Sequence, residues 1–389
     1  MNFHLTEEQS AFAESVRRFA RDKLGAGALE RAHSHDYPWD IAAQLAEQGL
    51  LGITLAEADG GAGGTLMDAV IAIQELALVC PKSADVVQAG NFGAIRTFAE
   101  YAAPELKARF LPGLLSGRKL LALGMSEPGA GSAVTELKTS AVADGDEFVI
   151  NGAKVFSTHS PHADAFLIYV RFGPGLNGIG SVIVERGTPG FEVGQPSSFM
   201  SGEQWSQLYF TDCRIPKANV LLGPGGFKKQ ISGFNVERIG NASRSLALGR
   251  HAFNIAREHC LIREQFGRLL CEFQGLQWKF AEMALRLESA QLLLYRAATN
   301  ADSGLPSAYE TSIAKLACNL AGWEVSNEAL QVMGGYGYSC ESLVEYCVKR
   351  TRGWMIAGGS VEILKNRIAE DVFDRRFDQR PPRSGEARA

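Results

Sequence analysis

No apolar run in this sequence approaches the roughly 18–20 residues that a membrane-spanning helix needs, so no span is expected. The opening MNFHLTEEQSAFAES has neither a basic nor an apolar leader segment, so a secretory signal is not expected there. Seven cysteines (Cys80, Cys213, Cys260, Cys271, Cys318, Cys340 and Cys347) are odd in number, scattered, and never spaced as CxxC. That spacing argues against a disulfide framework or a zinc knuckle and for reduced thiols in a cytoplasm. Charge of one sign is nearly absent in excess: 39 Lys+Arg against 43 Asp+Glu give a net −4. Nucleic-acid binders show a basic surplus, so none is expected here. The glycine-rich segment Gly124–Ser132 is neither a GxGxxG nor a P-loop, and there is no internal repeat. The pairs His33/His35 and His159/His162 lack a plausible third ligand, so no metal is expected.

What is present is enough for a large soluble core. A length of 389 residues, with 46% apolar and 21% charged, suggests two or three domains. Residues 1–118 read as helices. Thr6-Glu7-Glu8-Gln9 is a capping box, followed by Phe12, Val16 and Phe19 at helical spacing and Gly25 as a stop. Asp40–Leu50 is a short helix. Leu66–Val79 is apolar on most sides and is expected between neighbours, and Pro104 and Pro112 bracket another helix. Residues 119–223 turn strand-like. Asp144-Gly145 and Asn151-Gly152 are both two-residue hairpin signals, and Phe166–Val170, Ser181–Val184 and Leu208–Phe210 are strands. Residues 224–374 return to helical period. Phe234–Ile262, Phe273–Thr299 and Ser307–Met333 are long helices, and a fourth segment follows Gly337, as in an antiparallel bundle. Residues 375–389 form a basic tail expected to be mobile.

Several segments could carry chemistry. Gly124-Met125-Ser126-Glu127-Pro128-Gly129-Ala130-Gly131-Ser132 combines glycines and hydroxyls, which let backbone approach a flat or anionic ligand; a plain turn is the alternative. Asn151–Thr158 places an aromatic and two hydroxyls at the end of a hairpin; a plain β-hairpin with a core Phe is the alternative. Glu237-Arg238 lies on an apolar helical face. A desolvated carboxylate there is a better base near neutrality, and a buried Glu–Arg ion pair is the competing reading. Gly267 reads as a helix cap after Arg263-Glu264-Gln265-Phe266. Gln331–Gly337 carries more glycines than one cap requires, and Gly358–Ile363 opens a last helix whose free amides suit an anion or polarised carbonyl.

In this order and spacing, MSEPGAGS, NGAKVFST, the FNVERI stretch, REQFGR, Phe273-Gln274, QVMGGYG and GGSVEI resemble the acyl-CoA dehydrogenase family of flavoproteins. The resemblance runs from about residue 5 to residue 372. It implies a mainly α fold with a β-domain: an N-terminal helical domain, a barrel-like middle and a C-terminal four-helix bundle. It also implies FAD, an acyl-CoA or acyl-carrier thioester substrate, an electron-transfer flavoprotein as acceptor, and a homotetramer built as a pair of dimers. By position, Leu123, Met125, Ser126 and Ser132 would meet the cofactor, with Phe156 and Thr158 on its far side. Arg263, Gln265, Phe266, Gln274, Gln331, Gly334 and Gly335 would hold the FAD of a neighbouring subunit, and Ser360 would touch FAD at the last helix. Ser132, Asn235 and Arg238 would border the thioester.

Departures from the family pattern shape the mechanism it implies. Many relatives carry a catalytic Glu where this chain has Gly358, whose amide remains as a donor to the thioester oxygen. Others place the base at the position of Glu237, so Glu237 is expected to remove the α-proton. Ala133 replaces an Asp, Lys349-Arg350 replaces Arg-Asp, and Asn235 replaces an Asp, which points away from an ordinary straight-chain substrate. Within the same fold, an enoyl-CoA reductase, a desulfinase, a flavin monooxygenase or a non-catalytic subunit of a mixed tetramer are the alternatives.

Overall fold

The computed structural model describes residues 4–302 and 306–377; the greater part of the basic tail, from residue 378 on, lies outside the described residues. Seven helices come first: α1 Glu7–Phe19, α2 Ala28–His33, α3 Trp39–Glu47, α4 Leu66–Ala77, α5 Pro81–Asn91, α6 Ala94–Tyr101 and α7 Pro104–Leu115. The capping box at Thr6 and Gln9 forms as the sequence predicts, and Thr65 with Asp68 forms a second. Helix α4 is buried nearly all round because it packs between α1 and α5 on one side and the later bundle on the other. Pro112 does not end a helix. It sits in the last turn of α7, where its missing amide forfeits one bond only and Ser116 N still reaches Pro112 O at 3.2 Å.

The middle of the chain is a nine-stranded sheet: β1 Leu121–Gly124, β2 Ser140–Asp144, β3 Glu147–Thr158, β4 Ala165–Arg171, β5 Ile179–Glu185, β6 Phe191–Val193, β7 Ser197–Ser198, β8 Gln204–Pro216 and β9 Val220–Leu222. The order is β6-β8-β3-β2-β4-β5-β9, with β1 parallel to β4 and β7 beside β8. Asp144-Gly145 opens the β2–β3 hairpin as expected. Asn151-Gly152 does not make a second one. β3 runs straight through it, with a register shift against β8 between Ile150 and Gly152. Asn151 is occupied bonding Asp212, accepting its amide at 2.8 Å. A Cβ on Gly152 would come within 2.6 Å of Thr139, so the glycine serves close packing at a bulge.

Strand alternation explains what later lines the site. In β4 the even residues Phe166, Ile168 and Val170 pack toward β3 and β8, while Ala165, Leu167 and Tyr169 join the aromatic core of α6 and α7 built around Phe98 and Phe110. Both faces are covered, so β4 reads as one apolar run.

The last third holds α8 Phe227–Ile262, a small hairpin of β10 Glu264–Gln265 and β11 Arg268–Leu269, then α9 Gln274–Asp302, α10 Ala308–Met333, α11 Gly335–Tyr338, α12 Leu343–Trp354 and α13 Val361–Val372. Helix α8 starts at Phe227, seven residues before the expected Phe234, because the segment rests on the sheet and α6. Helices α8 and α10 approach so closely that a Cβ on Gly322 would stand 2.3 Å from Ser245 O. Gly267 is not a helix cap. Helix α8 ends at Ile262, and Phe266 (φ 53°) and Gly267 (φ 73°) form the left-handed turn of the β10–β11 hairpin. No helix among the described residues is long and apolar enough to cross a membrane.

Candidate active site

Three parts of the chain meet at one small, partly enclosed cavity. Gly93, Ala94 and Thr97 come from the start of α6; Leu123, Leu167 and Tyr169 from β1 and β4; Gln230, Gly233, Phe234 and Glu237 from α8. Glu237 is the one carboxylate among these lining residues. Gln88 of α5 donates its Nε2–H to both Glu237 oxygens at 2.7 Å. Gly93 is tight against the same carboxylate, since a Cβ there would lie 2.7 Å from Glu237 Oε2. Burial pushes the Glu237 carboxyl up from 4.5 to about 7, against the opposing pull of Arg244, Gln88 and Lys315. The ion-pair reading of Glu237-Arg238 does not hold. Arg238 donates to Asn235 Oδ1 at 3.0 Å and lies over the Phe234 ring at 5.9 Å, leaving Glu237 to Gln88.

Gly358 and Gly359 both take left-handed backbone, at φ 71° and 91°. A Cβ at Gly358 would face Lys315 Cε at 3.4 Å and Asn241 Nδ2 at 3.7 Å, and Asn241 lies one turn along α8 from Glu237. A side-chain acid at 358 would have to accept that left-handed geometry, which non-glycine residues adopt at a cost. Lys315 donates to Trp354 O at 3.2 Å and Gly359 O at 2.9 Å, pinning the loop from below. Burial draws the Lys315 ammonium down to about 7.

Beside the cavity, the segment after β1 is fastened from beneath. The buried Glu127 carboxylate accepts the amides of Lys138 (2.7 Å) and Thr139 (2.9 Å) and the Lys154 Nζ–H (2.8 Å). Lys154 also reaches Met125 O at 3.2 Å, Val155 N donates to Ser126 O at 2.9 Å, and Ser157 Oγ donates to Leu123 O at 2.9 Å. Above this anchor Phe156 holds φ 57° and an exposed ring, with Trp205 at 4.8 Å and Phe199 at 6.3 Å. Cβ atoms on Gly129 and Gly131 would meet nothing within 4 Å. An exposed aromatic wall beside an open, firmly held backbone fits a flat ring system, as FAD requires. Leu123, Met125, Ser126, Phe156 and Thr158 share this corner through those bonds.

The other predicted cofactor residues do not join them within one chain. Arg263, Gln265, Phe266 and Gln274 lie past the far end of α8, exposed, with Phe266 94% accessible. Gln331, Gly334 and Gly335 close α10 near them, where Tyr336 stacks on His259 at 6.0 Å. Along α8, the stretch from Glu237 to Arg263 spans about 39 Å at ~1.5 Å per residue. Ser360 caps α13, accepting from Ile363 N at 3.5 Å. Ser132 is exposed; Asn235 is buried, its oxygen taken by Arg238, and neither it nor Arg238 lines the cavity. The sequence reading missed Gln88, Thr97, Tyr169, Gln230 and the Glu127–Lys154 pair. Lys154 had a signal, because it falls in phase with the buried Ile150 of β3. His33 meets Cys340 and Glu345 rather than His35, the three ligand atoms lying within 4.8 Å of one another.

Profiles of the acyl-CoA dehydrogenase N-terminal, middle and C-terminal domains match residues 6–118, 122–213 and 224–373. The chain belongs to the acyl-CoA dehydrogenase family. Over 378 residues it is 33% identical to a short-chain specific acyl-CoA dehydrogenase of Clostridium acetobutylicum, covering 96% of this chain and all of that one. It is 35% identical to an acryloyl-CoA reductase (NADH) of Anaerotignum propionicum (96% and 97% covered) and 32% to a 3-sulfinopropanoyl-CoA desulfinase of Paraburkholderia xenovorans (97% and 99%). The butyryl-CoA dehydrogenase structure of Megasphaera elsdenii superposes with a TM-score of 0.89 at 31% identity, covering 96% and 100%. The protein is thus an acyl-CoA dehydrogenase-family oxidoreductase that uses FAD.

Proposed function

We propose that this chain dehydrogenates an acyl-CoA or acyl-carrier thioester at Cα–Cβ, with Glu237 as the α-proton base. The observation that carries this reading is the Glu237 carboxylate in the cavity wall, its pKa raised to about 7 by burial, while Gly358 offers no side chain. A base of that strength accepts a proton readily near neutrality. Gln88 holds the carboxylate oriented and stabilises it once ionised. The Gly358 amide is the proposed donor to the thioester oxygen, and Lys315 fixes the loop that presents it. When bound at the Phe156 corner, FAD supplies the acceptor for the β-hydride. Arg263, Gln265, Phe266, Gln274, Gln331, Gly334 and Gly335 are proposed to complete the FAD site of a second copy, in a homotetramer; an electron-transfer flavoprotein is the proposed acceptor.

The desulfinase alternative is less well supported. A sulfinate is anionic, and no Lys, Arg or His is among the residues lining the cavity. The test is anaerobic mixing of the FAD-loaded protein with a panel of acyl-CoAs. Bleaching of the flavin together with a 2-enoyl thioester product is expected. A panel that binds and never bleaches the flavin would overturn the proposal.

A further inference from the structure

The cavity floor is polar where an aliphatic acyl chain would want carbon. Tyr169, Gln230 and Thr97 are all buried and all line it. The Gln230 carboxamide oxygen is already taken. Ser181 Oγ–H donates to Gln230 Oε1 at 2.6 Å, and Gln230 and the Tyr169 phenol line the floor together. With the Gln230 oxygen taken, the Tyr169 phenol and the Gln230 amide face the cavity as donors. Burial holds the phenol well above its ordinary value, so it stays a neutral donor at any physiological pH. Thr97 Oγ1 reaches Gly93 O only at 3.4 Å, so its hydroxyl is also loosely engaged.

Charge narrows the choice further. The lining residues include no cation, and the one formal charge among them is the Glu237 carboxylate. A carboxylate-terminated acyl group would bring a second negative charge beside Glu237 with no partner. An alkyl end would leave the donors of the floor unsatisfied, which a site built for hydrogen bonding penalises.

We infer that the acyl group is short and ends in a neutral oxygen acceptor, a hydroxyl or a carbonyl, that Tyr169 binds with Gln230 behind it. This rests on reading the cavity as the acyl chamber of the proposed dehydrogenase. Tyr169 and Gln230 then set specificity; neither touches the reacting carbons.

The test compares three thioesters of similar length on the FAD-loaded protein: 4-hydroxybutyryl-CoA, pentanoyl-CoA and succinyl-CoA. Dissociation constants are read from the flavin absorbance shift on binding, which needs no turnover. The hydroxyacyl thioester should bind about tenfold tighter than pentanoyl-CoA, with succinyl-CoA weakest. In Tyr169→Phe the hydroxyacyl preference should fall to near one, with FAD content unchanged. Tighter binding of pentanoyl- or succinyl-CoA, no binding by any of the three, or a preference that survives Tyr169→Phe, would overturn the inference. The underlying reading fails separately. The predicted order of binding with no bleaching would keep the chamber and remove dehydrogenation, whereas ready bleaching by octanoyl-CoA in preference to all three would keep dehydrogenation and remove the polar chamber.

Discussion

Glu237 shows how one side chain carries both chemistry and a stability cost. It is desolvated by the meeting of α5, α6 and α8, and Gln88 only partly offsets that loss. In the free enzyme kcat/KM should therefore rise between about pH 5 and pH 8 with a midpoint near 7, followed through initial rates of flavin reduction. The same shift acts on folding. The folded protein holds this proton up to about 7, while the unfolded chain releases it near 4.5. Stability from Glu237 is thus fully present below 4.5 and is lost as pH rises through about 7. Glu237→Gln removes that titration, so its Tm relative to wild type should climb between about pH 5 and pH 8. A difference flat across that range would contradict the assigned shift.

At the scale of elements, strand β3 decides where the cofactor corner stands. Its inward alternation brings Lys154 under the Met125–Glu127 segment, and its left-handed residue turns Phe156 outward. Breaking a buried ion pair costs about 3–5 kcal/mol, less here because two amides still hold Glu127. Lys154→Met should consequently lower Tm and purify with little FAD, checked by the ratio of flavin to protein absorbance; a fully yellow variant of unchanged Tm would refute the anchor. Much of this scale was legible in sequence. The Thr6 box, the Asp144-Gly145 hairpin and the long bundle helices all follow from local rules. The errors share a cause. Asn151-Gly152 and Gly267 carry turn chemistry whose use was settled by distant partners, Asp212 and Thr139 in one case and a two-residue hairpin in the other. Gln88, Tyr169 and Gln230 were invisible for the same reason: each reaches the site from an element whose neighbours only the tertiary fold selects.

Across the whole molecule, a buried charge network ties all three parts of the chain together. Asp85 of α5 pairs with Arg244 of α8 at 3.1 Å and with Arg350 of α12 at 2.7 Å, and Arg350 also meets Glu203 ahead of β8. Both guanidinium groups lie over the Trp354 ring, 3.7 Å and 4.1 Å from its centre. Arg350, out of pattern for the family by sequence, finds its carboxylates here. Asp85→Asn would leave two buried cations short of a partner, so unfolding free energy should drop by about 3–5 kcal/mol in denaturant titrations. An unchanged midpoint would show that the network does not stabilise the assembly of the three parts. The three parts converge on Glu237, and the most direct test of the account is there. Single-turnover mixing of Glu237→Gln with a substrate acyl-CoA, under anaerobic conditions, should show bound FAD and normal thioester binding but flavin reduction slowed by ~10²–10⁴-fold; reduction at the wild-type rate would contradict the account.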